Sequence, residues 1–265
     1  MKSSLKYLIP ALIILIVIGV FIFKNPKKTT QTPAGAARQV EQINQISIKD
    51  RPFVTLTPRA DGKEVTLSVD QVKNASKVEY ELEYQTESLI QGVFGNIDFT
   101  KETPPVSKNL LFGSCSKGKC RYDEGIVGGS LTLRFEGGSQ PYALKADFNL
   151  QNMFDRQGIF ISKDAKATLD VGKSGLANAT YLIVAGTMGL PSPVDGKILA
   201  GPYAFLAASS PALTKATVTI QIKDDLTGSK LMFWNGKVYT ELKATVGDGK
   251  ISASVTGLGT FVVVK

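Results

Sequence analysis

Apolar and polar positions divide the chain into three kinds of stretch. The first is an unbroken apolar run. From Tyr7 to Phe23 there are 17 residues without a charge, mostly Leu, Ile and Val, closed by Lys6 on one side and Lys24 on the other. As a helix the run spans about 26 Å, close to the ~30 Å hydrocarbon core of a bilayer. The flanking lysines can reach both interfaces. No face of it is polar, which argues against a helix lying on a soluble core. A cleaved signal peptide would need a small-x-small site directly behind a shorter apolar core. Here the core runs into Phe21-Ile22-Phe23-Lys24, and the nearest small residues are Ala34-Gly35-Ala36-Ala37. Residues 1–24 are therefore expected to be a single uncleaved transmembrane anchor that meets the lipid bilayer through residues 7–23.

The second kind of stretch, residues 25–50, is rich in Thr, Gln, Pro and Ala and has little apolar period. It reads as a polar stalk that holds the remainder of the chain clear of the headgroups.

From residue 52 the period becomes two. Val65, Leu67 and Val69 share one face. Val78, Tyr80, Leu82 and Tyr84 alternate with Glu79, Glu81 and Glu83, the pattern of a strand with one buried and one wet face. Leu131, Leu133 and Phe135 stand before Gly137-Gly138-Ser139-Gln140, and Tyr142, Leu144, Ala146, Phe148 and Leu150 stand after it. Two alternating runs about such a turn predict a hairpin. Strands at this spacing over residues 51–163 predict a sandwich of immunoglobulin-like architecture. Residues 164–265 restart the pattern. Val218, Ile220 and Ile222 alternate with polar neighbours, and Asn235-Gly236 and Asp248-Gly249 mark two hairpin turns. The expected fold is all-β: two β-sandwich modules in tandem behind a transmembrane helix and a flexible stalk.

Charge changes this picture little. The net charge of +8 divides into +5 over residues 1–50, zero over 51–163 and +3 over 164–265. The excess flanks the anchor, where it faces lipid headgroups. The folded part has no basic stripe interleaved with aromatics, so no nucleic-acid partner is expected.

Histidine is absent from the chain. This excludes Ser-His and Cys-His catalysis, histidine metal sites and the usual neutral-pH proton shuttle. The two cysteines, Cys115 and Cys120, are too few for a zinc tetrahedron. In an oxidising compartment they would close a small hairpin loop as a disulfide, and in a reducing one they would be free thiols; the disulfide is the expectation. The balance of positive charge about the anchor is nearly even. The character of the folded part therefore sets the expected orientation: a single pass through the cytoplasmic membrane with the N-terminus on the cytoplasmic side and the bulk of the chain extracytoplasmic.

Other motifs carry less. Ser114-Cys115-Ser116-Lys117 and Lys173-Ser174-Gly175 share letters with penicillin-recognising enzymes, but the required buried helix is missing from the pattern. The acid pairs Asp123-Glu124 and Asp224-Asp225 fall at turns, where solvated or turn-capping roles are the norm. Trp234, the lone tryptophan, stands near Tyr239; the pair could offer a sugar a stacking surface or could pack against the core. No catalytic, cofactor-binding or metal-binding residue is expected.

Residues 198–264 contain Gly201-Pro202-Tyr203, Val218-Thr219-Ile220, Asp224-Asp225, Phe233-Trp234-Asn235-Gly236, Ser252-Ala253-Ser254-Val255 and Gly259-Thr260-Phe261. In these the stretch resembles the ZU5-like β-sandwich modules of bacterial surface proteins. It departs at Val238-Tyr239, where a second tryptophan is usual, and at Gly257-Leu258-Gly259, in place of His-Phe-Ser. The whole chain also resembles membrane-anchored envelope proteins of bacteria. The resemblance implies an envelope-exposed accessory module and no chemistry. The expected role is non-catalytic: a tethered protein presenting binding or structural modules to a protein or glycan partner at the cell envelope. Carbohydrate or cell-wall binding is the alternative, and a carboxylate-dependent hydrolase a further one.

Overall fold

Alternation of β-branched or aromatic residues with polar ones sets most of the strands. The computed structural model describes residues 41–265; the anchor expected over residues 1–24, and the stalk up to residue 40, lie outside the described residues. Among the described residues no helix is long and apolar enough to cross a membrane.

The chain runs through β1 (Phe53–Pro58), β2 (Glu64–Asp70), β3 (Lys77–Gln85), β4 (Ile90–Asp98) and β5 (Val106–Leu111). The short strands β6 (Gly113–Ser116) and β7 (Lys119–Tyr122) come next. The expected hairpin is β8 (Gly128–Glu136) with β9 (Tyr142–Asn152), whose register sets Phe135 opposite Tyr142. One helical turn, α1 (Met153–Arg156), is capped by the Asn152 side chain, which accepts from the Phe154 amide. Beyond it lie β10 (Ile159–Ile161), β11 (Ala167–Asp170), β12 (Tyr181–Gly186) and β13 (Ile198–Ala207). The chain closes with β14 (Ala216–Gln221), β15 (Lys230–Trp234), β16 (Tyr239–Leu242), β17 (Ala244–Gly247), β18 (Lys250–Val255) and β19 (Gly259–Val264). The described chain is thus all-β and built from several sheets, as the period predicts.

Nine strands, in the order β16-β15-β19-β13-β12-β9-β8-β3-β4, form the main sheet. It draws on both stretches expected as modules. A three-stranded sheet, β1-β2-β5, and a five-stranded one, β10-β11-β14-β18-β17, complete the layers. Val65, Leu67 and Val69 of β2 join Val78, Leu82, Leu133 and Phe148 of the main sheet in one apolar cluster. Val218 and Ile220 of β14 join Phe205, Leu231 and Phe261 in another.

Strand β12 shows how the two clusters relate. Leu182 and Val184 belong to the cluster under the five-stranded sheet, while Ile183 and Ala185 belong to the one under the three-stranded sheet. Successive side chains on a strand point to opposite faces. The two cores therefore lie on opposite faces of the main sheet and meet at β12. This is why Tyr181–Gly186 reads as a continuous apolar run rather than an alternating one. In β19 every residue is buried for the same reason. Phe261 and Val263 serve one core; Val262 and Val264 pack with Leu190, Ile48 and Met232 on the other face. Each large side chain taken fully from water, such as Phe148 or Phe205, contributes about 1.5–3 kcal/mol.

Gln42–Lys265 forms one compact unit. Residues 42–50, within the stretch expected as stalk, are packed onto this body: Ile46 and Ile48 each join an apolar cluster. The edges of the main sheet are β4 and β16.

Candidate functional site

The segment that leads into β1 builds one wall of a polar cavity. Strand β12 pairs with β9 only over Phe148–Asn152, which leaves the first half of β9 with no strand on that side among the described residues. Unpaired backbone groups need partners, and Asn44 supplies them. Its amide donates to the Ala143 carbonyl at 2.9 Å. Its side-chain Nδ2 donates to the Lys145 carbonyl at 3.0 Å, and its Oδ1 accepts from the Lys145 amide at 3.1 Å. Asn44 has φ 60, a left-handed conformation that asparagine tolerates better than most residues. Arg51 then clasps the same turn. Its Nε donates to the Ile46 carbonyl at 2.8 Å and its Nη2 to the Asn44 carbonyl at 2.7 Å. The far side of the turn is closed by the loop after β12, where a Cβ on Gly189 would stand 2.1 Å from the Arg51 carbonyl oxygen.

The cavity, of about 330 Å³, opens between this segment, β9, the C-terminal end of β12 and the middle of β13. Asn44, Arg51, Lys145, Asp147, Lys163, Asp164 and Tyr203 supply its polar lining, and Gly186, Gly201 and Pro202 part of its wall. Asp164 is fully engaged. Its Oδ1 accepts from the Ser162 hydroxyl at 2.6 Å and the Lys166 amide at 3.1 Å, and its Oδ2 from the Tyr203 hydroxyl at 2.8 Å. Burial pushes this carboxyl up, but the three hydrogen bonds outweigh it and hold it below the usual carboxylate range. Burial and then the Asp164 carboxylate push the Tyr203 phenol upward.

The cations are less engaged. Lys145 Nζ lies 4.0 Å from Glu83, and Lys163 Nζ lies 4.0 Å from Asp147 while donating to the Gly129 carbonyl at 3.2 Å. Arg51 has main-chain partners and no carboxylate among the described residues; burial lowers its pKa. The lining thus holds three cations against two carboxylates, one of which is already consumed. Ser162 donates to a carboxylate of depressed basicity and accepts from the Ala167 amide at 2.9 Å, so it caps a turn rather than facing a base. The chemistry this arrangement offers is anion binding.

The residues singled out from the sequence lie elsewhere. Cys115 and Cys120 form a disulfide with S–S 1.97 Å, directly opposite each other on the exposed β6–β7 hairpin. Ser114 and Lys117 lie on that hairpin too, Lys117 in its turn with φ 49. Trp234 and Tyr239 face each other across β15 and β16, ring centroids 5.2 Å apart at 62°. Both are half-buried, and the Tyr239 hydroxyl is buried with no hydrogen-bond partner among the described residues. Burial pushes that phenol up to about 12.

The three glutamates of β3 each have a polar or cationic neighbour. Lys77 stands 2.6 Å from Glu79, Arg134 2.9 Å from Glu81, and Ser130 and Lys145 flank Glu83. Asp225 accepts from Lys265 Nζ at 2.6 Å and from the Thr227 amide and hydroxyl. Asp123 accepts from the Tyr84 hydroxyl at 2.7 Å. Among the described residues no group of three or more His, Cys, Asp or Glu is placed to hold a metal ion.

The cavity residues were not legible in the sequence, because they come from positions 44, 51, 145–147, 162–164 and 203 and share no local motif. The one local hint is Ser162-Lys163-Asp164, a polar turn between two strands. No protein-family model matches this chain, and no curated protein matches it in sequence.

Proposed function

We propose that the chain is a non-catalytic, membrane-tethered protein whose bulk stands outside the cytoplasmic membrane and presents β-sandwich modules at the cell envelope. The observation that carries this reading is the 17-residue charge-free run from Tyr7 to Phe23 between Lys6 and Lys24. It is long enough to cross a bilayer with its flanking lysines at the interfaces. The Cys115–Cys120 disulfide supports it, because such bonds persist in oxidising compartments. In this reading the tandem modules are immunoglobulin-like and then ZU5-like, each core under its own covering sheet and both sharing the nine-stranded one. Partners would engage loops and sheet edges.

The test is membrane topology. With the full-length chain in cells, alkaline carbonate should leave the protein in the membrane pellet. Protease added to the outside of intact spheroplasts should digest the β-rich body. Release of the chain by carbonate, or protection of the body until the membrane is broken, would refute the proposal.

A second reading, carbohydrate or cell-wall binding, draws on the exposed side of the Trp234–Tyr239 pair. Its test is pull-down with insoluble peptidoglycan, comparing the natural chain with Trp234→Ala. Retention that is lost in the variant would favour it; equal retention would remove the aromatic pair from consideration. A hydrolase using paired carboxylates is a lesser reading. It would need two acids converging in one cleft, one of them able to hold a proton. Asp147 and Asp164 do line one cavity, but three donors hold Asp164 in its charged form, and Asp225 and Asp123 are engaged by neighbours elsewhere.

A further inference from the structure

We propose that the cavity behind the Asn44–Arg51 segment is a binding site for a small carboxylate, with Arg51 as its principal contact. A guanidinium has five N–H donors. In Arg51 two are spent on main-chain carbonyls, Nε on Ile46 and one N–H of Nη2 on Asn44. These bonds fix the plane of the group. They leave the Nη1–Nη2 edge, which presents parallel N–H bonds at the spacing of the two oxygens of a carboxylate. A half-buried guanidinium without a counter-anion is costly to keep, and no described carboxylate pairs with it. A bound anion would supply the missing partner.

The surroundings suit the same ligand. Lys145 and Lys163 line the cavity with only long ion pairs at 4.0 Å. Asp164 adds no demand for a cation, being saturated by Ser162, Lys166 and Tyr203. The volume of about 330 Å³ suits a ligand of amino-acid to dipeptide size. Arginine's planar fork favours the carboxylate over a spherical anion. That carboxylate could be the free C-terminus of a short peptide or a small free acid. The site's existence does not depend on which side of the membrane the body occupies, so it can fail or succeed apart from the topology proposal.

The test uses the full-length chain in detergent micelles and isothermal titration calorimetry. The probes are N-acetyl-alanine, its uncharged amide, N-acetyl-alanyl-alanine, acetate and inorganic phosphate. The carboxylates should bind within about 10 mM, and the amide at least about tenfold more weakly. Tighter binding of the dipeptide acid than of acetate would identify a peptide C-terminus as the source; equal binding would identify a small free acid. Arg51→Lys keeps the charge and loses the fork, and should weaken binding about ten- to a hundredfold. Should that variant melt early because the Asn44 turn loosens, Lys145→Met is the second probe. The Lys145 ammonium has only Glu83 as an ion-pair partner among the described residues, so its loss should weaken binding several-fold and flatten the salt dependence while leaving the melting temperature unchanged. Equal binding of acid and amide, tighter binding of phosphate than of every carboxylate, no binding at about 10 mM, or natural affinity in a folded Arg51→Lys chain would overturn the assignment.

Discussion

Asp164 binds its last proton only at low pH because three donors hold its charged form, and the consequence is a specific acid sensitivity. Its folded pKa lies below the unfolded value of about 4. The native state therefore binds fewer protons there than the unfolded chain. The stability this contributes is complete above the unfolded pKa and is lost as pH falls through the folded one. Asp164→Asn should accordingly show a smaller drop in melting temperature between about pH 6 and about pH 3 than the natural chain does; equal drops would show that the carboxylate's partners contribute nothing. Glycines give a second test at this scale. A Cβ on Gly129 would stand 1.8 Å from the Glu83 carbonyl oxygen, backbone against backbone, whereas on Gly186 the nearest atom is 3.8 Å away. Gly129→Ala should cost more than about 2 kcal/mol in urea unfolding, and Gly186→Ala less than about 1 kcal/mol. Some residues announce themselves in the sequence. Asp248-Gly249 reads as a hairpin turn, and it joins β17 to β18 with both residues at positive φ, 51 and 68. Arg51 announces nothing, because its role comes from carbonyls placed by a turn and from cavity walls more than ninety positions away in sequence.

Elements read well where one face is wet. The alternation in β2 and β3 marks their buried faces, since a period of two survives any choice of partner. In β8 the same alternation marks the apolar face, although Ser130 and Thr132 on the polar side are buried too. Elements buried on both faces read differently: β12 and β19 are apolar throughout, a pattern that tells of burial without telling which neighbour covers which face. Their two-sidedness predicts that adjacent residues report on different cores. Leu182→Ala and Ile183→Ala should each destabilise by about 2–5 kcal/mol. Leu182→Ala should raise amide exchange first in β14 and β18, and Ile183→Ala first in β1 and β2, as read by hydrogen-exchange mass spectrometry. Identical exchange patterns in the two variants would contradict the assignment of their side chains to opposite faces. The β6–β7 hairpin is the converse case. Among the described residues it pairs with no other strand, and its cysteines are exposed, so the disulfide closes a loop that supports little else. The double variant Cys115→Ser, Cys120→Ser should lose about 2 kcal/mol of local order at most. Faster exchange should be confined to the hairpin, with the main melting transition in place; a melting temperature lowered by more than about 5 °C would show that the hairpin supports the body.

At the scale of the whole molecule, strands from both halves of the sequence hydrogen-bond into one nine-stranded sheet, and its central strand feeds two cores. Neither core can lose β12 without exposing the other. Calorimetry of the full-length chain should therefore give one cooperative unfolding transition for the β-rich body, and two separated transitions would show that the cores fold independently. The sequence by itself determined the period of strands such as β2, β3, β9 and β14, the chemistry of several turns, the cysteine loop, and an apolar run of bilayer length. These are local properties: backbone geometry and the alternation of wet and dry faces are written within a few residues of each other. Only the tertiary structure decided that β12 joins β9 to β13, that the cores lie on opposite faces, and that Asn44, Arg51, Lys145, Asp164 and Tyr203 enclose a common space. Those outcomes depend on which distant strands pair, a choice made by the sum of packing and hydrogen bonding over the whole body rather than by any short pattern.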